Sequence, residues 1–276
     1  MVIQMKNIAL FSGGSVTLGL GLEIEHRPKY NNHDWLSKNG LILPLEREEE
    51  DKLYWKKYRY SKIVSDNLNL IEYNVHDHHD KQIGGNSIDT IWLLNRNISK
   101  FDELLNNVKY LFLDIGFIRW WDENLHGFEN PKNLPYTISE VIQFINNPNS
   151  DYGLTYNALE WLRKLDIETY WNETIEKYYR LKELYPNIKF IIIPWVTNDK
   201  DELMSKKIDG TLKDDIVLFD GEMSLFNYLT RNKLMVGDVA KAFNGEYEYN
   251  YKDEHPSTEG HKRISDILLK FINERY

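Results

Sequence analysis

Short apolar runs alternate with longer stretches of helical composition along this chain, and that alternation limits its possible folds more than any other feature. Runs at Asn7–Phe11, Leu70–Val75, Lys109–Leu113, Lys189–Pro194 and Asp215–Phe219 are brief and rich in Ile, Leu, Val, Phe or Tyr, as strands of a covered sheet are. Between them, Glu46–Asp66, Ser87–Leu94, Thr137–Asn146, Asn157–Leu184, Asp199–Lys206, Ser224–Arg231 and Glu259–Asn273 carry helical composition or a 3.6-residue period. In the last of these, Ile264, Ile267, Leu268 and Phe271 mark one face. Pro186 and Asn187 close the long central helical region just before a strand, since proline has no N–H to continue a helix. This order predicts an α/β domain whose parallel sheet is covered by helices on both faces.

With 276 residues, 42% of them hydrophobic, the chain can fill a substantial core, and without repeat or linker it reads as a single domain over 1–276. It has no Cys, which removes disulfides and thiolate chemistry and suits a reducing compartment. No apolar stretch approaches the ~18 residues needed to span a bilayer, and the opening MVIQMKNIALFSGGS is too soon interrupted for a secretory signal. A soluble, cytoplasmic protein is expected, with no membrane partner. The formal net charge of −9 leaves no basic field for phosphates, so nucleic acid is not expected as a partner.

The first strand runs into Ser12-Gly13-Gly14-Ser15, which places a serine on a glycine-rich turn beside a helix start. Glycines let backbone approach a substrate closely, and free N–H groups at a helix start can stabilise a developing oxyanion. Ser15 is therefore a candidate nucleophile; read alone, it equally suits a helix cap. A phosphate loop fits less well. Gly14 and Gly19 have the spacing, but Leu20 and Gly21 stand where Lys and Ser/Thr would be required.

Far along the chain, Asp253-Glu254-His255-Pro256 precedes the last helical stretch. A serine hydroxyl needs a base, and the imidazole needs a carboxylate to hold its tautomer; His255 and Asp253 can supply both from one loop. Any one of the eight histidines could also be an ordinary surface residue.

Taken together, GGSVTLGLGLE and DEHPSTEGH resemble the first and last blocks of the SGNH (GDSL-like) hydrolases, with Gly14 where that family usually has Asp. The resemblance implies a flavodoxin-like three-layer α/β/α sandwich with a parallel sheet. It also implies Ser15 as nucleophile, His255 as base and Asp253 as its orienting partner. Ile83-Gly84-Gly85-Asn86-Ser87 is similar to the second block, which would put the N–H groups of Gly85 and Ser15 in the oxyanion hole. The same segment also reads as a turn before a helix capped by Asn86 or Ser87. In the third block, read from Gly116, Ile118 stands where the family has an oxyanion-hole Asn. Asn86 and Arg119 are the candidate substitutes, and Arg119 can equally pair with Asp122.

The implied activity is cleavage of an ester, with an acyl group on a carbohydrate as a guess by analogy. A small-molecule or glycan ester would be the substrate, and no metal or organic cofactor is called for. A silent SGNH-like domain that binds a glycan or protein, and an acyltransferase using the same residues, stay open beside it. His76-Asp77-His78-His79-Asp80 invites a metal reading, but neighbouring residues rarely converge on one ion and a solvated loop fits better. Trp120 and Trp121 follow a strand end, where exposed aromatics could meet a ligand.

Overall fold

The computed structural model describes residues 7–13, 15–19, 22, 53–75, 77, 90–91, 94–95, 98–115, 167–194, 212, 214–221, 224–238 and 255–276. Within them the strands are β1 (Ile8–Ser12), β2 (Ile71–Asn74), β3 (Val108–Ile115) and β4 (Lys189–Pro194). The helices are α1 (Ser15–Leu18), α2 (Tyr60–Asn67), α3 (Ile98–Asn107), α4 (Ile167–Leu184), α5 (Leu225–Arg231) and α6 (Thr258–Arg275).

All three strand pairings are parallel, in the order β2-β1-β3-β4. Parallel neighbours need a crossover, and the intervening helices provide it. The Asp215–Phe219 run, expected as a strand, adds to the far side of β4 by one parallel bridge, Ile192 to Ile216. Around it, Ile192 N donates to the Asp215 carbonyl at 2.7 Å and Val217 N to the Ile192 carbonyl at 3.0 Å. The four-stranded parallel sheet with its helices is an α/β fold, and the four other expected strands form with ends displaced by no more than two residues.

Alternation along the strands divides the core. Ala9 and Phe11, Tyr110 and Phe112, and Ile191 and Ile193 pack with Tyr60 and Val64 of α2, Leu225 and Leu229 of α5, and Ile264, Leu268 and Ile272 of α6. Phe11 and Phe112 stack at 4.2 Å between ring centroids. The intervening residues Leu10, Leu111, Leu113, Phe190 and Ile192 are buried as well. Phe190 meets the edge of Tyr178 on α4 at 5.3 Å, so α4 lies against the opposite face. Because both faces are covered, these strands are nearly unbroken apolar runs.

Two elements differ from expectation. Glu46–Asp66 is expected as one helix, but residues 53–58 form a helix, Arg59 turns out of it, and α2 begins at Tyr60. The cause is long-range: the buried Arg59 guanidinium is held by Glu72 (Nε to Oε1, 2.8 Å) and Asp77 (Nη1 to Oδ1, 3.3 Å), both beyond α2. α3 is not among the expected helices, although Ile98, Phe101, Leu104 and Leu105 stand at helical spacing and Phe101 and Leu105 are buried. The expected helices Thr137–Asn146 and Asp199–Lys206 lie outside the described residues, as does most of Ser87–Leu94.

Helix direction sets the two edges of the sheet. α6 ends at the amino edge, where the Tyr276 hydroxyl reaches the Phe190 carbonyl at 3.4 Å and Arg275 pairs with Asp214 at 3.1 Å. Its first turn therefore lies at the carboxyl edge, beside the start of α2: the Tyr60 amide donates to Nδ1 of His261 at 3.2 Å.

Candidate active site at the carboxyl edge

In an open α/β sheet the ligand crevice forms outside the carboxyl ends of the strands, where the strand order reverses. Here β1 connects to β2 on one side while β3 lies on its other side, so that point falls between the ends of β1 and β3. Ser12 is in register with Leu113, and Gly13 lies beside Asp114. A Cβ on Gly13 would sit 2.0 Å from Oγ1 of Thr17 and 2.7 Å from Cβ of Asp114. Glycine is required there because the turn is pressed against both neighbours.

Ser15 opens α1 directly after this turn. The short helix is fixed on several sides. Asn74, buried at the end of β2, donates to the Thr17 carbonyl at 2.8 Å, and the Thr17 and Tyr60 hydroxyls share a hydrogen bond at 2.9 Å. The helix ends at Gly19, whose φ of +91° disfavours a side chain and which packs against Arg59, with a notional Cβ 3.0 Å from Cβ of that residue. A helix of four residues is marginal alone, so these contacts hold Ser15's backbone in place.

The segment proposed for the base is held equally well. The His255 carbonyl accepts from Val236 N at 2.8 Å, Ser257 N donates to the Leu234 carbonyl at 2.8 Å, and Met235 and Pro256 form an antiparallel bridge. Ser257 then caps α6, its Oγ accepting from Gly260 N at 3.0 Å. His255 is half-buried. His261, in the same sequence block, is fully buried, and burial, with smaller effects of His255 and Arg59, pushes its pKa down to about 3. A ring so weakly basic, with Nδ1 already taken, cannot act as a general base near neutral pH. Of these two histidines, His255 is the one that keeps solvent contact.

Other sequence candidates fall elsewhere. Asp253, Gly85, Asn86 and Arg119 lie outside the described residues, as do Trp120 and Trp121. The nearest described residues to the second block are Asp77 and Thr90: Arg59 binds Asp77, and the Thr90 hydroxyl shares a hydrogen bond with Ser12 Oγ at the end of β1. Asp77 and Thr90 thus both lie near the edge that carries Ser15. Asp77 of the His76–Asp80 run is engaged by Arg59, and among the described residues no group of three or more His, Asp or Glu side chains is placed to hold a metal ion.

No family model, curated protein or solved structure that was compared with the chain matches it. Its chemistry must be judged from its own residues. Sequence reasoning overlooks Thr17, Tyr60, Asn74, Asp114 and His261, all buried and polar or aromatic around α1. Asp114 alone carries a local signal, as the one carboxylate in β3, after the apolar run Tyr110–Leu113. Burial first, then the nearby Asp114, raises the Tyr60 hydroxyl far above its usual pKa, so it stays protonated and available to Thr17. Among the described residues no helix is long and apolar enough to cross a membrane.

Proposed function

We propose that this chain is a serine hydrolase of the SGNH type that cleaves an ester, with an acyl group on a carbohydrate as the substrate class favoured by analogy. The observation that carries the reading is the shared location of two segments distant in sequence. The glycine turn opening into Ser15 and the His255 segment opening into α6 meet the same carboxyl edge, joined through Tyr60. The parallel order β2-β1-β3-β4, extended by Ile216, and the helices on either face support a flavodoxin-like three-layer α/β/α sandwich.

In this mechanism Ser15 attacks the ester carbonyl while His255 takes its proton, and the negative charge collects on the carbonyl oxygen. The N–H groups of Ser15 and Gly85 stabilise that oxyanion. His255 then returns the proton to the leaving alcohol, and water attacks the acyl-enzyme by the same route in reverse. Asp253 orients the imidazole and offsets its charge. Loss of one oxyanion donor typically costs about 100- to 1,000-fold in turnover. Because Ile118 stands at the usual Asn position, Asn86 and Arg119 are the candidates to replace that donor, and without one turnover would be weak. An alcohol acceptor in place of water would make the same site an acyltransferase.

The test is hydrolysis of p-nitrophenyl acetate and longer acyl esters by the wild type, Ser15→Ala and His255→Ala. Turnover by the wild type that both substitutions abolish is the expected result. A wild type without turnover on any acyl length points to the second reading, a binding domain, which Ile118 at the third block favours.

A further inference from the structure

We propose that Tyr60 and His261 are positioning residues: together they form a strut that fixes the helix bearing Ser15 relative to the segment bearing His255. The inference rests on the reading of Ser15 as nucleophile and His255 as base, and it adds two side chains that touch neither substrate nor reacting atoms.

The first amides of a helix have no partner within it, and Arg59, the N-cap of α2, makes no side-chain capping bond. The Tyr60 amide is met instead by Nδ1 of His261, 3.2 Å away on another helix. Nitrogen accepts only when unprotonated, so the ring is neutral and carries its hydrogen on Nε2. Nε2 is buried and has no hydrogen-bond partner among the described residues, leaving the Tyr60 amide as the ring's polar anchor. The two rings lie nearly parallel, with centroids 5.9 Å apart and planes 16° apart.

From this junction bonds run both ways. The Tyr60 hydroxyl reaches Oγ1 of Thr17 at 2.9 Å, inside α1. On the other side the His261 amide donates to the Ser257 carbonyl at 2.8 Å, in the segment that starts at His255. Ser265 Oγ reaches the Tyr60 carbonyl at 3.4 Å and the His261 carbonyl at 2.8 Å, bracing the junction. Thr17, Tyr60, Ser257, His261 and Ser265 are all buried, and a close-packed interior transmits displacement with little slack. A shift of His261 therefore moves α1 against the His255 segment.

Tyr60→Phe and His261→Phe should each lower kcat on an ester the wild type turns over by about 10- to 100-fold, with KM changed by less than about threefold, since misplacement of order 1 Å costs that much. Fluorophosphonate labelling of Ser15 should slow in proportion. The double variant should lose no more than the worse single one because both cut the same strut; multiplicative losses would overturn the proposal. A measurement free of turnover keeps the two readings apart: the backbone amide NMR shifts of Val16–Leu18 in His261→Phe should move, although the substitution is in another helix. Unmoved shifts overturn the strut whether or not the protein hydrolyses esters. A wild type that is neither active nor labelled overturns the hydrolase reading and leaves the shift measurement to decide this one. Should His261→Phe not fold, Tyr60→Phe removes one hydroxyl, and the amides of His255–His261 take the place of those in α1.

Discussion

His261 gives the sharpest expectation at the scale of single residues, because its environment holds it neutral. Its pKa falls from 6.5 to about 3 in the folded chain, so between those values the unfolded chain binds a proton that the folded one does not. Stability from this group is complete above pH 6.5 and declines as pH falls toward 3, by about 1.4 kcal/mol per pH unit in the middle of that window. Urea unfolding at pH 7.5, 6 and 5 should therefore show a shallower loss in His261→Phe than in the wild type. Parallel curves would mean that the ring is protonated in the fold. Glycines at tight contacts give a second expectation. Gly13→Ala should destabilise by about 1–3 kcal/mol, since its Cβ would meet Thr17 and Asp114 in a packed turn. Gly260→Ala should also lose stability although alanine favours helices by about 1 kcal/mol, because its Cβ would lie 2.5 Å from the Leu234 carbonyl oxygen. Denaturant titration checks both, and a stabilised Gly260→Ala would contradict the close approach.

Elements differ in how readable they are, for physical reasons. β1, β3 and β4 can be read from sequence because burial on both faces forces almost continuous apolar runs such as KFIIIP. α6 can be read from its apolar stripe, in which Ile264, Leu268 and Ile272 are buried. α3 is overlooked although Ile98, Phe101, Leu104 and Leu105 stand at helical spacing, because the stripe is only ten residues long in an otherwise polar segment. The break at Arg59 could not be read, since its partners come from β2 and the residues after it. Around that guanidinium, burial opposes the charge, while bonds to Asp77 and Glu72 outweigh it and raise the pKa above its ordinary value. Removing one partner of a buried ion pair typically costs about 3–5 kcal/mol. Arg59→Met should approach the lower figure, since Glu72 and Asp77 keep some solvent contact, and it should disturb both the start of α2 and the placement of Asp77. Combining it with Glu72→Gln and Asp77→Asn should restore part of the loss. Denaturant midpoints of the single and triple variants test this, and an unchanged Arg59→Met would contradict a structural role for the cluster.

For the whole molecule, the decisive feature is that one sheet edge gathers the ends of β1 and β3, the start of α1 and the approach to α6. The sequence blocks mark Ser15 and His255 as candidates without any knowledge of that edge, because both sit at local turn-to-helix signatures. What sequence cannot reveal is the packing around them: Tyr60 has no motif, and the Asp253-x-His255 spacing marks His255 but says nothing of His261, whose enclosed ring only burial sets apart from the half-buried one. Whether Ser15 is an activated nucleophile is decided by peptide mapping after reaction with a fluorophosphonate probe. A single adduct on the peptide containing Ser15, lost on heat denaturation and strongly slowed in His255→Ala, is the result this account requires. No adduct on the folded protein, or one that forms equally well without His255, would contradict it.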